Sequence, residues 1–181
     1  MPTVLAFLTA AAVAFAPANH SAPQQRVVQN QANARIQVSK SLQSELLRQI
    51  NVVRAQHGLR AFRRSSRLGA AANQHSVSMA QKGYFSHSSA DGGAFWRRIA
   101  TFYGYHGYRQ WSVGENLLWS SPSVSTAGAI QMWMKSPEHR ANLLDRNWRE
   151  IGLSAVHAES APGVYHGDAV TIVTADFGVR Y

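Results

Sequence analysis

Apolar side chains recur along this chain with a helical period first and an extended period later. Leu46, Ile50 and Val53, followed by His57, are spaced 4, 3 and 4 apart and share one helical face, which Gly58 closes. A second stripe of Leu68, Ala72, His75 and Met79 predicts another helix, with Ser65 placed to cap its start and Gly83 to end it after Lys82. Gly92-Gly93 breaks the chain before a short helix carrying Phe95, Ile99 and Phe102. Glu115 to Trp119, bounded by Gly114 and by Ser120-Ser121-Pro122, reads as an extended segment.

Ile130, Trp133 and Met134 mark a fourth helix, which stops near Ser136 because a proline disfavours helical backbone in the residue before it. Ser136 and Pro137 then open a new short helix that runs to Leu144. Ile151 to Val156 and Ala169 to Ala175 read as strands. The second is apolar on both faces, Val170 and Ile172 against Ala169 and Val173, as in a strand covered on both sides. Helices early and paired strands late predict an α+β fold, a sheet flanked by helices.

The ends of the pattern change the picture of where the protein works. An apolar run from Val4 to Ala16, followed by Pro17-Ala18-Asn19, has the length and small-residue flank of a cleaved signal peptide at residues 1–18. No Lys or Arg precedes that run, so the amino terminus alone supplies positive charge there; a core helix or an uncleaved anchor is the alternative reading. Residues 19–40, rich in Gln, Asn, Ala and Ser, read as a disordered basic linker, and the domain is expected to occupy 41–181. These segments imply a secreted protein, extracellular or periplasmic, with no transmembrane segment after cleavage. The chain has no cysteine, which excludes disulfides, thiol chemistry and Cys-based metal sites.

The formal charge is +9, and between Asn19 and Arg67 nine Lys or Arg residues face a single acid, Glu45. That imbalance suits an anionic surface such as an envelope polymer or lipid head groups, and it equally suits an ordinary solvated face. No zinc-finger spacing, aromatic-rich basic motif or other nucleic-acid module accompanies the charge. Phosphate-loop, dinucleotide and G-x-S-x-G signatures are likewise missing, which disfavours nucleotide-dependent chemistry and the common serine hydrolase.

Seven segments carry a family likeness in order: Asn51 to Leu59, His75 to Ala80, Gly83 to His87, Gly114 to Leu117, Trp133 to Leu144, Trp148 to Gly152, and Asp176-Phe177-Gly178. Together they resemble the CAP superfamily of cysteine-rich secretory proteins, antigen 5 and plant pathogenesis-related proteins of class 1, in its cysteine-free bacterial branch. The resemblance spans Ser41 to Tyr181 and implies a three-layer α-β-α sandwich with a mainly antiparallel central sheet.

The resemblance also implies a cleft of two His and two acidic residues able to hold a divalent metal. The matching positions are His87, Glu115 in Gly114-Glu115-Asn116, and His139 after Ser136-Pro137-Glu138. Two imidazoles and a carboxylate fill three corners of a tetrahedron and leave the fourth for water or substrate, which suits zinc and, in a wetter site, magnesium. His and Glu can also act as acid and base without a metal. In eukaryotic relatives the second acid follows the helix Trp by three residues; here that position is Ser136. Glu138 is the nearby substitute, although the helix dipole already explains an acid there.

The plainer reading of the same residues is that they tie loops together, and His75, on an apolar stripe, reads as a core histidine. Asn51 and Arg54 are expected to tie the first helix to its neighbouring loops, and His57 to bond that helix's terminal carbonyls. The aromatic stretch Tyr103 to Tyr108 offers packing or, if exposed, a stacking surface for sugar or an apolar ligand. Three functions stay open: a monomeric secreted module binding an envelope polymer, a lipid or a small apolar ligand; a metal-assisted hydrolase using His87, Glu115 and His139; and an interaction domain with an empty cleft.

Overall fold

A computed structural model of the chain describes residues 36–181. The expected signal peptide and nearly all of the expected linker lie outside the described residues. The elements are β1 (Ile36–Val38), α1 (Lys40–Gln56), β2 (Arg63–Arg64), α2 (Ser66–Lys82), α3 (Phe95–Phe102), β3 (Trp111–Ser120), α4 (Thr126–Lys135), α5 (Pro137–Leu144), β4 (Glu150–Ala158), a 3-10 turn Gly163–Tyr165, and β5 (Val170–Arg180).

Local signals placed the helices well. Ser65 caps α2 by accepting from the Leu68 backbone N–H, and Gly83 ends it with φ of 70°, a left-handed conformation that glycine adopts without strain. The α4–α5 break falls at Ser136, with Pro137 at the first turn of α5. Asn51 clasps the Phe62 backbone with bonds of 2.8 and 3.2 Å, and His57 Nδ1 meets the Val53 carbonyl at 2.8 Å.

The described residues include a strand ahead of residue 41: Ile36 to Val38 pairs antiparallel with Val156 to Ala158, and Ser39 caps α1 through the Leu42 N–H. A three-residue edge strand needs only backbone donors and acceptors, so the polar composition that suggested a linker is no obstacle to it.

Among the described residues the sheet runs β1-β4-β5-β3, antiparallel throughout, with β2 joined to β4 in parallel. Helices α1, α4 and α5 cover one face, where Leu46, Ile50, Trp133 and Leu143 meet Leu118, Val173, Ala175 and Phe177. Helices α2 and α3 cover the other, where Met79, Leu68 and Ile99 lie in the apolar clusters and Val170 and Ile172 of β5 come from the sheet. The fold is therefore the expected α+β three-layer sandwich. A Cβ on Gly152 would come within 2.1 Å of the Leu68 backbone, so a bare backbone on β4 is what lets α2 lie directly on the sheet.

Candidate functional site: a buried carboxylate cluster beneath His87

Strand alternation decides what faces the α2/α3 side. Leu117 of β3 belongs to the cluster on that side, so Glu115, two residues earlier, points the same way. Its register partner across the β3–β5 ladder is Asp176, which lies on the face of Thr174, whose hydroxyl meets Ser76 of α2 at 2.8 Å. Two carboxyl groups thus sit side by side under α2 and α3.

The Glu115 side chain is 1% exposed and both of its oxygens are engaged. His87 donates from Nδ1 to Oε1 at 2.8 Å, and the Arg98 guanidinium, itself 5% exposed, pairs with Oε2. Arg98 also donates to the His87 carbonyl at 3.3 Å, so a single residue of α3 holds both the carboxylate and the loop that carries the imidazole. His87 stands above this cluster with half of its side chain in solvent, its Nε2 free of the carboxylate.

Asp176 is fully buried and neither carboxyl oxygen has a hydrogen-bond partner. Burial first, and then the charge of Glu115, push its carboxyl well above the ordinary Asp value, with Arg98 opposing. Two carboxyls sharing one dry space favour the neutral form of Asp176.

The core histidine positions the loop. His75 is 1% exposed, donates from Nε2 to the Ser86 carbonyl at 2.8 Å, and is lowered to about 4, chiefly by burial. Tyr165 donates to the Tyr84 carbonyl at 2.9 Å, which fixes the other end of the same turn.

The remaining expected residues fall differently. His139 is half-buried on α5, the helix of the opposite face; its backbone carbonyl accepts from Asn116 at 2.8 Å. Its imidazole is lowered first by burial and then by repulsion from His87, which places the two rings within electrostatic reach, yet it has no hydrogen bond to Glu115. Glu138 is exposed and turned to its own helix start, with its carboxylate held low by its own backbone N–H and by the Ser136 hydroxyl at 3.1 Å.

Of the residues expected to hold zinc or magnesium, His87 and Glu115 are joined by a hydrogen bond and Arg98 lies against the second Glu115 oxygen, while His139 and Glu138 make no hydrogen bond to either. No group of three His, Asp or Glu in metal-holding geometry occurs among the described residues.

Two members of the cluster escaped the sequence reading. Asp176 entered the reading only within the Asp176-Phe177-Gly178 segment and was given no role there. Arg98 lies beside Ile99, within an amphipathic helix whose apolar stripe drew attention away from it. The aromatic stretch divides: Tyr103 is buried, while Tyr105 and Tyr108 are exposed, with Arg180 stacked between Tyr103 at 3.9 Å and Tyr108 at 4.7 Å.

Fold, site and motif order define a cysteine-free domain of α-β-α type with an acidic cluster under a surface histidine. The model of the cysteine-rich secretory protein family matches residues 47–177, and the chain belongs to that family. It is 28% identical over 116 residues to the uncharacterized membrane protein YlbC of Bacillus subtilis, covering 64% of this chain but 32% of that protein. The chain therefore spans about a third of that relative's length. An extracellular protein containing an SCP domain from Bacillus anthracis superposes with a TM-score of 0.58 at 26% identity, over 76% of this chain and 40% of that one. An outer surface protein from Borrelia burgdorferi gives a TM-score of 0.64 at 16% identity over 80% of this chain and 98% of its own, a likeness of fold.

Proposed function

We propose that this domain is a secreted binding module that engages a component of the bacterial envelope, and that its His87–Glu115 cluster shapes a surface instead of performing hydrolysis. The observation that carries this reading is the burial of Glu115 with both oxygens engaged. A general base or a metal ligand needs a carboxylate oxygen able to reach water or an ion, and here the side chain is 1% exposed, with one oxygen bonded to His87 and the other to Arg98. His87 and His139 are left as the polar groups of the cleft mouth, able to donate to or accept from a ligand. Secretion is supported by the leader pattern of residues 1–18 and by the Bacillus anthracis neighbour, which is described as extracellular. The positive charge of the amino-terminal half favours anionic envelope polymers over neutral ones.

The test combines retention and chemistry. Purified protein is incubated with isolated envelope material and, separately, with zinc, casein and an ester panel. Retention on the envelope fraction is expected, with zinc uptake equal in the wild type and in His87→Ala and His139→Ala. Chelator-sensitive hydrolysis that both histidine replacements abolish would establish the hydrolase and sink the binding reading.

A further inference from the structure

Between α2 and α3, adjoining the cluster through Arg98 and His75, lies a cavity of about 450 Å³, within the range of small-ligand sites. Its walls are Gln74, Ser78 and Lys82 from α2 and Arg97 and Thr101 from α3, with Ser89 in the connecting loop. Apolar lining is confined to Ala90, Ala94 and the ring of Tyr84; no Leu, Ile, Val, Phe or Trp contributes. Such a surface offers nothing to an acyl chain, whereas its hydroxyl and amide groups match the hydroxyls of a sugar.

Charge then narrows the class. Lys82 and Arg97 are exposed, and neither forms an ion pair among the described residues. Arg98, at the inner wall, is neutralised by Glu115. Asp91 is the one acid of the lining, and its Oδ1 accepts from the Gly93 backbone N–H at 2.9 Å, which turns that oxygen toward the loop backbone. Helix α3 starts at the cavity with no side-chain cap and no acid in its first turn, so its amino-terminal amides add to the positive side. Arg97 lies 5.3 Å over the Trp96 ring, which leaves its charge unneutralised, and two cations without an acidic partner at a hydroxyl-rich hollow call for an anion on a hydroxylated body.

We infer that the α2/α3 cavity is a binding site for an anionic sugar, carrying a carboxylate or a phosphate, with Lys82 and Arg97 taking the charge and Gln74, Ser78 and Thr101 the hydroxyls. The inference rests on the binding-module reading and names its ligand class.

The test is a titration of the full chain, followed by amide NMR shifts and calorimetry, with glucuronate, glucose 6-phosphate and glucose as probes. Saturable shifts at Gln74, Ser78 and Thr101 are expected with at least one of the two anions and not with glucose; the tighter anion distinguishes a carboxylate source from a phosphate source. Lys82→Gln combined with Arg97→Gln should weaken the binding by about tenfold or more, since hydrogen bonds to charged groups are the strong ones. Both residues are exposed, and an unchanged melting temperature checks that the variant folds. Equal binding of glucose, no response to either anion, or full affinity in the double variant would overturn the site. The double variant is also applied to envelope material: undiminished retention overturns the cavity while leaving the module reading intact. Sugar-acid binding by a wild type that envelope material does not retain upholds the cavity and overturns the module.

Discussion

The two faces of the sheet bury charge in opposite ways. On the α1/α4/α5 face Arg54 is 1% exposed: its Nε and Nη1 donate to the carbonyls of Arg60, Leu143 and Asp145 at 2.7 to 3.0 Å, and it stacks 3.7 Å from the Phe62 ring. It ties α1 to the end of α5, and none of its nitrogens is among the buried atoms without a partner. On the α2/α3 face Arg98 pairs with an acid that is itself crowded by a second acid, and its Nε has no partner. Of the four buried side-chain atoms without a partner among the described residues, three are Arg98 Nε and the two Asp176 oxygens; the fourth is Trp148 Nε1. The buried charge of one face is tied to backbone carbonyls, whereas most of the unpartnered buried polar atoms lie on the other, beneath the exposed histidine and beside the polar cavity.

The sharpest way to break this contrast is to remove one large group from each face. Trp133→Ala, in the apolar core of the α1/α4/α5 face, is expected to cost about 3–5 kcal/mol through the cavity it leaves. Arg98→Met should cost about as much, roughly 3–5 kcal/mol, by stranding a buried Glu115 charge next to Asp176. Denaturant melts of double variants separate the causes: adding Glu115→Gln should recover much of the Arg98→Met loss and none of the Trp133→Ala loss. Equal recovery in both would mean that the cluster is not an electrostatic unit.

The second difference is in pH. His75, folded, titrates at about 4 against 6.5 for a free imidazole, so the unfolded chain binds its proton first as acid is added. Stability is complete above pH 6.5 and falls as pH drops toward 4, by about 3 kcal/mol from this buried group. His75→Gln should flatten that limb when melts at pH 7 and pH 4 are compared; an unaltered slope would assign the acid sensitivity elsewhere. The smallest effect belongs to Glu138. Glu138→Gln should lower the melting temperature slightly through the start of α5 and leave envelope retention as it was, because its carboxylate serves its own helix. Lost retention would bring it back into the cleft.

Much of the architecture was legible because it is written locally. Ser65, Gly83 and the Ser136-Pro137 pair act on backbone within a few residues of themselves, so they fix the ends of α2, α4 and α5 whatever surrounds them. The ordered motifs likewise pointed to the family and its sandwich. The amino-terminal strand was not legible, since three residues of edge pairing leave no trace in composition.

The sequence by itself determined the helices, the later strands and the layered fold, and its family resemblance implied the nearness of His87 to Glu115. Only the tertiary structure decided what that nearness means. Strand register set Asp176 against Glu115, and the packing of α3 swung Arg98 onto the same carboxylate from 17 positions away in sequence. A carboxylate's chemistry depends on which oxygens are left free, and that is a property of neighbours in space, which no local pattern specifies.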